Sequence, residues 1–353
     1  MASRIKKLFA KLNQENLDGL IVSSSANTSY LTKHASRESY FLVSEKANIY
    51  FTDSRYIEEA KGNLRNLAEI KKTNDSVFKI IAHTCLDLGL RRIGFEERCL
   101  AYAEYKKIKE ELKKKAVLIP THGLIEELRQ IKEPEEISKI KKAVQITASA
   151  LEFIGKFILP GKRELEIVAE LERFIRYQGA TDSAFEIIVA SGTNSSFAHH
   201  IPTKRKIEND ELVLIDIGVD YLGYKCDLTR VFSSGKISSL EKKIYHIVQE
   251  AKDRAIRKIE PGVSIKEVDA ASRRYITQKG FGEFFGHNLG HGVGLEVHEE
   301  PTISSKNSNV MKAGMVFTIE PAIYLPGKFG IRIEDMVLVT TEGVEVLSGA
   351  VVK

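Results

Sequence analysis

The chain has 353 residues, 43% apolar and 29% charged, with a formal net charge of +5 at pH 7; this excludes wholesale disorder and suits two domains better than one. Basic residues are interleaved with acids, as in Lys106-Lys107-Ile108-Lys109-Glu110-Glu111-Leu112-Lys113-Lys114-Lys115, the pattern of a solvated helix face and not of a nucleic-acid surface. No apolar run is long enough to span a membrane, and the three cysteines, Cys85, Cys99 and Cys226, form no CxxC pair, which fits a reducing, cytoplasmic compartment.

Ile5, Leu8, Phe9 and Leu12 recur at helical spacing among lysines and predict a helix near 3–15, not the continuous apolar core of a secretory leader. Strands are expected at Leu20-Ile21-Val22, Tyr40-Phe41-Leu42-Val43, Ile49-Tyr50-Phe51 and Arg92-Ile93-Gly94-Phe95. Helices are expected near 54–61, 75–88 and 101–113. This reads as an α/β domain ending near Pro120, assigned to residues 1–122, with no catalytic constellation of its own. Residues 123–353 form the second domain, in which Glu133-Pro134-Glu135-Glu136 opens a long helix with Pro and acids at its positive end.

That second domain carries an internal repeat. At a constant offset of 101, residues 160–179 match 261–280: Pro160 with Pro261, Gly161 with Gly262, Ala169 with Ala270, Arg173 with Arg274, Phe174 with Tyr275, Ile175 with Ile276 and Gly179 with Gly280. After each repeat helix come strands, a histidine and two acids: His200, Asp216 and Asp227 in the first half, His298, Glu320 and Glu334 in the second. Folded about a pseudo-twofold axis, the halves bring two dicarboxylate arms to one point.

Asp216, Asp227, Glu320 and Glu334, with His291, carry charge that balances two divalent cations. Three of the four acids stand in apolar or β-branched runs, where burial without a partner is prohibitive. A two-residue loop at Tyr221-Leu222 pairs Asp216 directly with Asp227 on one face of a hairpin. Glu320 precedes Pro321 and is expected to be extended, and Arg332 and Glu334 share the polar side of an Ile-Arg-Ile-Glu strand, either as a structural ion pair or around metal. His291 sits in Gly290-His291-Gly292-Val293-Gly294, which lacks the strand-to-helix context of a dinucleotide fingerprint. Two cations bridged by carboxylates suit hydrolysis, with histidines nearby to stabilise an oxyanion or carry a proton. The oxygen-rich donor set favours Mn, with Co, Fe or Zn also admissible.

The ordered set Asp216, Asp227, His291, Glu320, Glu334 resembles the metal site of the pita-bread metallopeptidases of family M24, which include methionine aminopeptidase, aminopeptidase P and prolidase. Leu17-Asp18-Gly19-Leu20-Ile21-Val22, Tyr30-Leu31-Thr32 and Thr52-Asp53-Ser54-Arg55-Tyr56 are similar to the creatinase-type domain of the proline-specific branch. So are Arg129-Gln130-Ile131-Lys132, His287 four residues before His291, and Ile331-Arg332-Ile333-Glu334-Asp335. The resemblance covers essentially the whole chain. It implies an α/β creatinase-like N-terminal domain followed by an α+β pita-bread catalytic domain. It also implies a homodimer acting on short peptides with proline second, as an Xaa-Pro dipeptidase or an aminopeptidase P.

Position by position, the resemblance implies that Asp216 chelates one metal, that Asp227 and Glu334 bridge both, and that His291 and Glu320 hold the second, with Glu320 also acting as base. It further implies that His298 stabilises the scissile carbonyl, that His200 meets the leaving imide nitrogen, and that His287 and Arg332 line the substrate pocket. Arg37 and Arg55 are candidates for binding a substrate carboxylate. The chain departs from the family pattern at His199, where Pro is usual, at Ala322 in place of Gly, and at Val231 in place of Thr; none of these removes a ligand. The competing readings are a binding protein that kept the fold without catalysis, a metal-free creatinase-like C–N hydrolase, and a peptidase of this fold without strict proline specificity. The retained ligands oppose the first two, and the N-terminal domain and Arg332 oppose a methionine aminopeptidase.

Overall fold

The amphipathic spacing at the N-terminus produces α1 (Ser3–Gln14), which buries Ile5, Leu8, Phe9 and Leu12 and exposes Lys6 and Lys7. The computed structural model describes residues 3–73 and 76–349 and divides into two units, Met1–Arg129 and Gln130–Lys353.

In the first unit α1 is followed by β1 (Gly19–Val22), α2 (Ser25–Thr32), β2 (Ser39–Ser44), β3 (Asn48–Thr52), α3 (Ile57–Leu64), β4 (Glu69–Lys72), α4 (Val77–Asp87), β5 (Arg92–Glu96), α5 (Tyr102–Glu111), β6 (Val117–Thr121) and α6 (Glu126–Arg129). The strands form one six-stranded mixed sheet in the order β4-β3-β2-β1-β5-β6. The four expected strands and the expected helices are present, although position 75 of the helix expected over 75–88 lies outside the described residues. The pattern did not disclose the polar edge strand β4, the edge strand β6 containing Pro120, or α2, whose start is capped by Ser24 accepting from the Asn27 N–H. On α5 Ile108 is buried, as is Leu112 just beyond it, while the lysines around them are exposed, as a solvated helix face requires.

The second unit begins with α7 (Pro134–Gly155), whose Glu136 carboxylate accepts from the Glu133 N–H at 2.8 Å. Then come α8 (Glu164–Tyr177), β7 (Asp182–Ser183), β8 (Ile188–Ser191), β9 (Leu212–Ile217), β10 (Val219–Tyr221), β11 (Tyr224–Lys225) and β12 (Leu228–Ser233). The second half supplies α9 (Ser239–Arg257), α10 (Ile265–Gln278), β13 (Gly290–Gly292), β14 (Glu299–Ile303), β15 (Val316–Ile319), β16 (Ala322–Leu325), β17 (Phe329–Arg332), β18 (Asp335–Val339) and β19 (Val344–Val346). Both ends of α8 and α10 are shifted by 101 residues, and each helix has 14. The two Pro-Gly turns are equivalent as well, with the Gly161 N–H bonded to Ile207 O at 2.8 Å and the Gly262 N–H to Met311 O at 2.9 Å. Each half packs its helix pair against its own strands, giving two apolar cores in one unit.

Each half contributes one interrupted hairpin. In the first, Tyr221 pairs with Tyr224 and Asp220 with Lys225, and the same register runs on through Leu228 with Ile217 and Thr229 with Asp216. The loop is therefore Leu222-Gly223, not Tyr221-Leu222, and Asp216 faces Thr229 instead of Asp227. The correction is a shift of two, which preserves side-chain parity, so the two acids still share a face as diagonal neighbours. The second hairpin pairs Ile319 with Asp335 and Ala322 with Arg332, and the interruption between those pairs sets Glu320 across from Glu334.

Leu222 and Gly223 both take positive φ (52° and 85°), as a type I′ turn demands, and Leu222 is exposed. Because an L-leucine there is strained by about 1 kcal/mol, Leu222→Asn is expected to raise stability by a comparable amount. Thermal denaturation of the two proteins checks this, and an unchanged or lower melting temperature contradicts it.

Candidate metal centre

Asp216 on β9 and Asp227 just before β12 come from the first hairpin, Glu320 and Glu334 from the second, and His291 from β13 between them. Ligand atoms of Asp227, His291 and Glu334 lie within 4.8 Å of one another. His291 Nε2 is 3.6 Å from Asp227 Oδ2 and 3.5 Å from Glu320 Oε1. The Asp216 charge bears on Asp227, Glu320 and Glu334, so all five expected residues converge. His291 reaches the cluster because Gly290 permits strand approach: a Cβ there would lie 1.9 Å from Thr318 O.

Arg332 ties the two hairpins together. Its guanidinium donates to Asp216 Oδ2 (2.6 Å), Thr229 Oγ1 (3.0 Å), Tyr324 Oη (2.5 Å) and Ala198 O (3.1 Å). Thr229 in turn donates to Glu334 Oε2 at 2.7 Å, and the Glu334 N–H to Thr229 O at 3.2 Å. Behind the cluster Arg230 donates to Glu334 O (2.5 Å) and Asp335 Oδ1 (2.7 Å), and Lys252 pairs with the same aspartate. Thr229, Arg230 and Tyr324 were not singled out from sequence. Thr229 was the accessible one, since it lies two residues after Asp227 and so on the same strand face.

The protein donors do not satisfy this cluster. Asp216 Oδ1 and Asp227 Oδ1 are buried and meet no hydrogen-bond donor. Burial, then the Glu334 charge, raises Asp227 and Glu320 well above the usual carboxylate range, and burial with the Asp216 charge pushes Glu334 up to about 8. Burial lowers His291 and His287 to about 4, and His298, whose ring lies 4.1 Å from that of His291, is also lowered. Orphaned carboxyl oxygens facing a neutral imidazole are what a divalent cation fits, and four carboxylates with one imidazole match the charge of two.

Of the remaining expected residues, His287 lies 3.9 Å from Glu320 and 3.4 Å from Tyr324 Oη. His200 is placed elsewhere: its Nε2 donates to Glu164 at 3.0 Å, in a direction set by that buried acid. Its neighbour His199 is exposed, and it is the His199 charge that bears on His287 and His298.

These shifts fix how stability of the metal-free protein varies with pH. A carboxyl raised on folding stabilises the fold while protonated, and that contribution is lost as pH climbs from the unfolded value through about 8 for Glu334. The lowered histidines act in the opposite sense, as pH falls below about 6.5. Between pH 6.5 and 8 the metal-free protein is therefore expected to lose stability as pH rises, by about 1.4 kcal/mol per pH unit for each proton released. Saturating Mn²⁺ removes this slope, because binding displaces the same protons. Thermal melts across the range test it, and a metal-free profile that rises with pH contradicts it.

Comparison with known proteins agrees with this geometry. The profile of metallopeptidase family M24 matches residues 138–341, and that of the creatinase/prolidase N-terminal domain matches residues 4–131. An Xaa-Pro dipeptidase of Pyrococcus horikoshii is 36% identical over 348 residues, covering 97% of this chain and 96% of its own. The structure of an Xaa-Pro dipeptidase from Bacillus anthracis superposes with a TM-score of 0.95 at 40% identity, covering 98% of this chain and 97% of that one. An X-Pro aminopeptidase from Thermotoga maritima superposes at 0.88 with 35% identity, covering 96% and 97%. Two interrupted hairpins that bring four acids and a histidine together, behind a creatinase-type domain, place this chain in metallopeptidase family M24.

Proposed function

We propose that this protein hydrolyses the peptide bond between an N-terminal residue and a following proline, with two divalent cations held by Asp216, Asp227, His291, Glu320 and Glu334. The pair of orphaned buried oxygens, Asp216 Oδ1 and Asp227 Oδ1, carries the metal part of this reading. The Xaa-Pro part is supported by the dipeptidases and the aminopeptidase that the chain resembles along nearly its whole length. Mn²⁺ is the ion the oxygen-rich donor set favours. When bound, the cations acidify a water molecule and polarise the scissile carbonyl.

The residues around them divide the remaining work. Arg332 and Thr229 hold Asp216 and Glu334 in place, so that the ligand oxygens are aimed before substrate arrives. Glu320 takes a proton from the attacking water. His298, exposed beside His291, donates to the developing oxyanion. A prolyl imide nitrogen carries no hydrogen, so a proton must be brought to it as it leaves. We assign that end of the substrate to His199 in place of His200, because His200 is committed to Glu164. His287 and Tyr324 line the wall between Glu320 and Arg332.

The same reading makes the enzyme a cytoplasmic homodimer. Among the described residues no helix is long and apolar enough to cross a membrane, and Cys85, Cys99 and Cys226 form no disulfide with one another.

Chelator-stripped protein reconstituted with Mn²⁺ is expected to cleave peptides with proline second, and Asp227→Asn to lower kcat/KM by at least about a thousandfold. Comparing an Xaa-Pro dipeptide with an Xaa-Pro-Yaa tripeptide separates the two activities: cleavage of the dipeptide alone makes it a dipeptidase, and preference for the tripeptide an aminopeptidase P. Silence on both substrates with metal bound contradicts the proline assignment.

A further inference from the structure

Glu164, the first residue of α8, is fully buried and belongs to no ligand cluster. Its Oε1 accepts from the Ser191 N–H (2.8 Å), the Ser191 hydroxyl (2.8 Å) and the Asn194 amide (3.0 Å). Its Oε2 accepts from His200 Nε2 (3.0 Å), the Thr203 N–H (2.9 Å) and the Thr203 hydroxyl (2.8 Å). One oxygen therefore holds the limb leaving β8 and the other the returning limb, closing the base of an Ω-like loop over 191–203. Burial opposes ionisation of Glu164, yet the bonds from His200, Asn194 and Ser191 outweigh it and hold the carboxyl at about 2.

The middle of the loop is fixed from the other side. Ser195 Oγ accepts from the Gly330 N–H at 2.9 Å, and Ala198 O accepts from Arg332 at 3.1 Å. His199 stands between these anchors, next to the residue that Arg332 grips and next to the one that Glu164 grips. An apolar residue would seat the start of α8 without the cost of burying a charge, so the carboxylate is better explained by the loop shape it imposes. The second repeat has a parallel device. Buried Asp269 on α10 pairs with Arg273 at 2.7 Å, and Arg273 donates to Phe285 O (3.1 Å) and His287 O (2.9 Å).

Resting on the peptidase reading above, we propose that Glu164 is a positioning residue: by gripping His200 and both limbs of the 191–203 loop, it sets His199 at the mouth of the metal centre.

Glu164→Gln tests this, because it keeps the shape but turns one acceptor oxygen into an amide that faces donors. The backbone amides of Ser191 and Thr203 are expected to exchange hydrogen at least about tenfold faster, with β17 and bound Mn²⁺ unchanged. On an Xaa-Pro substrate kcat should fall about a hundredfold with KM little altered. In a His199→Ala background the same substitution should cost less than about threefold more, since the two act as one unit. Losses that multiply, or wild-type exchange at Ser191 and Thr203, overturn the proposal. Should Glu164→Gln fail to fold, His200→Phe removes one link, since its ring carries no donor, and the same non-additivity test applies against His199→Ala. If the wild-type protein cleaves no such peptide, the peptidase reading fails by itself; accelerated exchange then still supports the loop clamp, and unchanged exchange still overturns it.

Discussion

The burial and mutual repulsion of four carboxylates, those of Asp216, Asp227 and Glu334 buried and that of Glu320 partly so, are the constraint on which the rest of this structure depends. Burial first, and then the charge of their neighbours, makes Asp227, Glu320 and Glu334 resist ionising, and their protein partners do not neutralise them. The Arg332 guanidinium reaches the Asp216 carboxylate directly and that of Glu334 through Thr229. Such an arrangement is costly as pure structure, because replacing a buried charged group with a well-packed apolar one is often stabilising. It is intelligible as a binding site whose strain is relieved by cations.

Duplication is the geometric solution to assembling that cluster. Each half folds as a helix pair followed by an antiparallel hairpin, and each hairpin is interrupted where its acids project. The helices also stabilise the loops around the centre, through Glu164 in one half and Asp269 with Arg273 in the other. Rigid elements thus supply the clustered acids, while loops braced by those elements carry His199 and His287. Sites built this way keep their geometry before substrate arrives, which is where much of the rate advantage of a hydrolase originates.

Residue chemistry carried much of this into the sequence, and register carried the rest out of reach. The convergence of these five side chains was legible because an acid inside an apolar strand pattern is too costly to bury unless a partner meets it. The repeat was legible because its offset holds from Pro-Gly turn to Gly stop. The polar edge strand β4 and the short helix α2 gave no periodic signal. The hairpin register was missed by two residues because Leu222 takes a left-handed conformation that the pattern gave no reason to expect; parity survived, so the prediction of a shared face did too. The proposed division of roles between His199 and His200 was hidden because it depends on Glu164, thirty-six residues away in sequence and brought close only by the fold. Glu164 reads as an ordinary first-turn helix acid, and nothing local marks it as buried.

The account stands or falls on whether this carboxylate cluster is a metal site. Equilibrium dialysis of chelator-stripped protein against Mn²⁺, followed by elemental analysis, measures this directly and independently of any substrate. Two ions per chain in the wild-type protein, with loss of binding in Asp227→Asn, is the result the account predicts. A wild-type protein that takes up no ion and is as stable without metal as with it would contradict the account, and would leave the four acids as a purely structural network.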